Sequence, residues 1–171
     1  MKKFLLIVSI VFMFNSCDDG DITLESFNLS SASISKCSDK TFLYKINDNE
    51  LLLLDISAVP YTYDTTETVF PYTKSYAIDN SSVSVIYRLY NVTATSLTIC
   101  SIIAPATPVV TNEWDATGGT IEVTTTQRFD TDGTTLLGYT HTFYLKNVNF
   151  SNESNSFSFE EYLFGNYQTT L

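Results

Sequence analysis

The chain has 171 residues, 44% of them apolar, and a formal net charge of −10. Nine basic residues against 19 acidic ones exclude a nucleic-acid partner, because phosphate binding needs clustered Lys and Arg. Thr, Ser, Tyr and Phe are abundant, and no long amphipathic helical pattern stands out, so the class is all-β.

Lys2 and Lys3 open the chain with positive charge, and an apolar run fills residues 4–14. Eleven residues are too few for a spanning helix, which needs about 20. The length and flanks are those of a secretory signal. The run ends at Phe14-Asn15-Ser16-Cys17, followed by Asp18-Asp19-Gly20-Asp21. Phe14, Ser16 and Cys17 resemble the lipobox of bacterial lipoproteins. The acidic residues after Cys17 resemble the export signal of Bacteroidetes surface lipoproteins, especially those of flavobacteria. Residues 114–119, 146–148 and 164–167 are also similar to that family. The resemblance implies a lipid on Cys17, an outer-membrane address with exposure at the cell surface, and no assigned activity.

Cleavage before Cys17 leaves 155 residues with seven basic and 19 acidic side chains. That is one domain's worth of chain. Residues 1–16 are then a signal peptide, residues 17–39 a lipidated cysteine with a Ser- and Asp-rich tether, and residues 40–171 the folded domain. Ile22, Leu24, Phe27 and Leu29 would also let part of the tether add as an edge strand.

Residues 41–46 alternate as a strand, Asn47-Asp48-Asn49 signals a turn, and residues 50–56 form a continuous apolar strand. Residues 59–79 are less regular, and Pro60 and Pro71 confine them to edges or loops. Residues 82–90 and 96–103 are expected as strands, broken afterwards by Pro105 and Pro108. The last third predicts a meander. Residues 120–129 lead into the turn Asp130-Thr131-Asp132-Gly133, residues 137–150 return, and Asn152-Glu153-Ser154-Asn155 turns into residues 156–164. About seven strands with close turns predict an antiparallel β-sandwich.

With Cys17 set aside, Cys37 and Cys100 are an even pair in an exported chain. They read as one disulfide or as two buried thiols. Two cysteines and one histidine do not make a zinc site, and no metal or cofactor is expected. Asp130-x-Asp132-Gly133 fails as an EF-hand, since its twelfth position is His141. His141 alternates in phase with Tyr139, Phe143 and Leu145, which places it at the margin of the core, hydrogen-bonded. Glu160 and Glu161 are adjacent on a strand and should point to opposite faces, so they cannot flank one bond. No G-x-S-x-G occurs. The expectation is a non-enzymatic binding or structural protein.

Tyr61, Tyr63, Phe70, Tyr72 and Tyr76 form an aromatic cluster with two readings. Rings on a β scaffold stack on sugars, which would make a glycan-binding module. The same rings would also serve to cover the open end of a sandwich. Asp64-Thr65-Thr66 resembles the O-glycosylation motif of exported Bacteroidetes proteins. The expected partners are therefore a membrane, through the lipid on Cys17, and an extracellular glycan or protein.

Overall fold

Short, local signals set the hairpins. In the computed structural model, which describes residues 28–57, 59 and 67–171, Asp48 turns the chain with a φ of 51°. Asx residues tolerate that left-handed backbone. The turn joins β2 (Leu43–Asn47) to β3 (Glu50–Asp55). β1 (Ser35–Lys36) pairs with β2 on its other side. β4 (Tyr72–Ala77) and β5 (Ser84–Tyr90) follow, then a short helix, α1 (Ser96–Cys100). Three long strands complete the chain: β6 (Val110–Phe129), β7 (Leu136–Ser151) and β8 (Ser156–Thr170). Every pairing is antiparallel, in the order β1-β2-β3-β5-β6-β7-β8, with β4 also on β6.

The expected all-β, sandwich-like class holds, and its two layers are two halves of one curled sheet. The bend is visible in the alternation of buried residues. In β6, Trp114 and Ala116 face inward, and then Ile121, Val123 and Thr125 do. In β7 the inward set changes phase between Leu145 and Val148; in β8 it changes between Phe159 and Tyr162. Gly118, Gly119 and Asn147, which has a φ of 50°, lie at this level, where the β6–β7 register shifts. Bulges of this kind let a strand pass from one layer to the next. A Cβ on Gly119 would stand 2.7 Å from the Asn147 carbonyl oxygen, so only glycine fits that approach.

β4 and β5 pass the same corner by a different device. Both pair with one edge of β6, β4 along residues 120–125 and β5 along residues 110–115. Between them Asp79 accepts hydrogen bonds from the backbone amides of Ser81, Ser82 and Val83. Those donors hold its carboxyl near a pKa of about 2.

The halves meet face to face. Leu43, Leu52, Leu54, Val85, Tyr87 and Trp114 from one half share a core with Ile121, Phe143, Leu145 and Phe164 from the other. Trp114 donates its indole N–H to Asn155 Oδ1 at 2.5 Å, which ties the β7–β8 turn to β6. A second, smaller cluster covers the outer side of β2 and β3. It holds Tyr44, Leu51, Tyr90, Cys37 and Ala94, with Ile99 and Cys100 of α1 packed on it.

Three expectations need correction. Residues 96–103 do not form a strand. Thr95 N–H donates to Thr98 Oγ1 at 3.1 Å, and this local bond starts α1 where the β-rich composition suggested extension. Within the expected 17–39 tether, residues 28–39 are folded onto the sheet, so the folded region begins earlier than residue 40. Leu29 is fully buried, and Ile34 packs at the site left open by the missing side chain of Gly165. β6 starts at Val110 rather than at residue 120, because the glycine pair bends the strand without ending it.

Candidate functional site

Of the aromatic cluster, Phe70, Tyr72 and Tyr76 are described; Tyr61, Tyr63 and Asp64-Thr65-Thr66 lie outside the described residues. β4 pairs Tyr72 with Thr125 and Tyr76 with Ile121. Directly paired residues share a face, and Thr125 and Ile121 face the core. Tyr72 and Tyr76 therefore point inward from an edge strand, and Tyr76 packs on the main core. Phe70 stacks on Tyr139 at 5.6 Å and tilts against Tyr72 at 5.3 Å. Lys74 places its ammonium 5.3 Å from the Tyr72 ring centre. These rings line the β4 edge of the curled sheet and face inward.

His141 lies just behind them. The register sets Tyr72, Thr125, His141 and Tyr167 in one row across four strands. The imidazole is fully buried. Nδ1 is 3.0 Å from Thr125 Oγ1, and Nε2 is 3.1 Å from Thr169 Oγ1. Burial lowers its pKa to about 4. A neutral ring held by two hydroxyls has both nitrogens engaged. It sits deeper than the core margin expected from sequence.

A second polar group is buried where the halves meet, and the sequence reading missed it. Lys45 is only 2% exposed, with its Nζ 5.8 Å from the Tyr162 ring centre. Desolvation pulls the lysine pKa down. Burial first, and then the nearby Glu50 carboxylate, push the Tyr87 hydroxyl up and raise Tyr162 to about 12. One signal was available. Lys45 alternates in phase with Leu43, and that phase faces the core. What hid it is that Tyr44 and Ile46, on the opposite phase, are apolar as well, so either face of β2 could be the inner one. Perturbed titratable groups gather at functional sites, and also in structural networks.

The remaining candidates sit on the surface. Asp132 accepts from the amides of Thr134 and Thr135 and from the Thr135 hydroxyl, which lowers its pKa to about 2. The Asp130–Gly133 segment is a hairpin turn in which Gly133 donates to the Asp130 carbonyl at 2.9 Å. Among the described residues no three His, Cys, Asp or Glu side chains gather as a metal site. Glu160 and Glu161 are both exposed, because the change of phase in β8 falls at this pair. Lys146 bridges Glu161 and, at 3.4 Å, Glu122. Beside the corner lies an open, shallow depression lined by Asn147, Asn149, Ser158, Phe159 and Glu160.

Cys37 and Cys100 are bonded, with Cα atoms 5.4 Å apart across 63 residues. Cys17 lies outside the described residues. Comparison with protein-family models, with curated proteins and with solved structures finds no match for this chain.

Proposed function

We propose that this protein is a lipoprotein of the outer membrane, exposed at the cell surface and held by acyl chains on Cys17, whose β domain acts as a non-enzymatic binding or structural module. The observation that carries the reading is the order of residues 2–21: two lysines, an eleven-residue apolar run, Cys17 and an acidic run. Each buried lipid CH₂ contributes about 0.8 kcal/mol, so one chain holds marginally and several hold stably. A bonded Cys37–Cys100 pair suits an oxidising compartment outside the cytoplasm. The acidic domain would stay off an anionic surface unless tethered.

The test is fractionation of cells carrying Cys17→Ser. The parent belongs in the membrane fraction, and the variant should be soluble. Retention of the variant in membranes would remove the anchor. An impermeant amine reagent applied to intact cells should label the parent; labelling only after lysis would remove surface exposure.

Glycan binding by the residue 61–76 aromatics is the second reading. Phe70, Tyr72 and Tyr76 are half-buried at an edge, so an exposed platform would depend on Tyr61 and Tyr63. A glycan array showing no binder, or binding unchanged by Tyr61→Ala with Tyr63→Ala, discards it.

A further inference from the structure

We infer that the α1 segment and the loop that follows it form a second membrane contact, inserting into the boundary between head groups and acyl chains of the bilayer that Cys17 anchors. Residues 89–112 contain no charged side chain, in a protein with 19 acidic residues. Within that stretch Leu97 is 71% exposed, Ile102 91% and Ile103 85%, and Val92 and Val109 are each about half exposed. Apolar side chains on a neutral segment enter a lipid interface without desolvating a charge.

The place where the chain enters the fold gives a second, independent indication. Asn28, the first described residue, is held by the β2–β3 turn. Asn47 Nδ2 donates to its carbonyl at 2.6 Å, and its amide donates to Glu50 Oε2 at 3.1 Å. The same turn holds the base of the apolar segment. The Ala94 amide donates to the Asp48 carbonyl at 2.8 Å, and the Thr93 hydroxyl to Asp48 Oδ1 at 2.5 Å. Asn28 and the base of the apolar segment are therefore held by one turn. Ten residues separate Cys17 from Asn28, a reach of at most about 40 Å. The Cys37–Cys100 bond fixes the segment to the sheet one residue before Ser101. Ile99 is already packed inward on the second cluster. Ile102 and Ile103 are thus presented from a rigid base, within the reach of the ten residues that lead to the anchor.

The inference rests on the anchor reading, and the experiment separates the two. Full-length protein carrying Ile103→Trp is reconstituted into phosphatidylcholine vesicles with and without brominated acyl chains. Bromine should quench the new tryptophan roughly twofold, as an interfacial ring is reached by the acyl chains. Trp114 is buried, and Val69→Trp lies at the far end beside Phe70, so the parent and that variant should change little. Vesicle-bound protein in which Ile103→Trp is no better quenched than Val69→Trp overturns the inference while leaving the anchor intact. A Cys17→Ser form that floats with vesicles as the parent does overturns the anchor; quenching at position 103 then still supports the loop. No flotation of the parent overturns both. A blue-shifted Ile103→Trp in a dimer without lipid would assign this face to a second copy of the chain and overturn the membrane contact.

Discussion

His141 keeps a neutral ring inside the sheet, and this has a sign that solution measurements can read. Its folded pKa, about 4, lies below the ordinary value of 6.5. Below pH 6.5 the unfolded chain takes up a proton that the folded chain refuses, so stability falls as pH drops toward 4. The loss is on the order of 3 kcal/mol. His141→Gln should remove this part of the pH dependence, which would appear as a difference in urea midpoint between parent and variant that changes from pH 7 to pH 4. A constant difference would contradict it. The phase of His141 was readable from Tyr139, Phe143 and Leu145. Its partners were not, because Thr125 and Thr169 stand 16 and 28 residues away and only strand register brings them in. Gly119 is the other residue with a sharp consequence. Its φ of 111° and the 2.7 Å approach to Asn147 make Gly119→Ala costly, roughly 2–4 kcal/mol in chemical denaturation. Gly118, where an added Cβ meets nothing within 4 Å, should tolerate Ala far better.

Turns and hairpins were legible because their chemistry is local. Asn47-Asp48-Asn49, Asp130-Thr131-Asp132-Gly133 and Asn152-Glu153-Ser154-Asn155 each carry side chains that accept from their own backbone or tolerate left-handed geometry. The elements that escaped depend on distant contacts. α1 was hidden in a β-branched stretch, and the glycine pair before residue 120 resembled a loop although the strand continues through it. The Cys37–Cys100 bond joins α1 to the segment before β2. Closing 63 residues should stabilise by about 4 kcal/mol in the loop-entropy account. Replacing both cysteines by Ser should lower the unfolding free energy by that order, with α1 and residues 28–39 losing amide protection first. Loss of protection in β7 before α1 would contradict that order.

Across the whole molecule, the same three long strands run through both layers, so neither layer is a separate sheet. Trp114 reports one half and the His141 ring resonances report the other. Their denaturant transitions should coincide; two separated midpoints would show that the halves unfold independently. This arrangement also explains why Pro105 and Pro108, which break the chain after residue 103, divide nothing: residues 101–109 lie between α1 and β6 of one continuous sheet. A sheet that curls without closing keeps its margins. β8 is 15 residues long and is the last strand in the order, so among the described residues its outer backbone groups have no neighbouring strand. Such a margin is a template for pairing with another chain. Glu160 and Glu161 place two exposed carboxylates in the middle of it, and β8 bulges against β7 near Gly165. Glu160→Gln with Glu161→Gln should therefore increase light scattering over time at high concentration, while a variant as clear as the parent would leave the guarding role to the bulge alone. Wherever copies of this domain are crowded edge to edge, those two charges act as spacers that keep adjacent margins from zippering into a fibril.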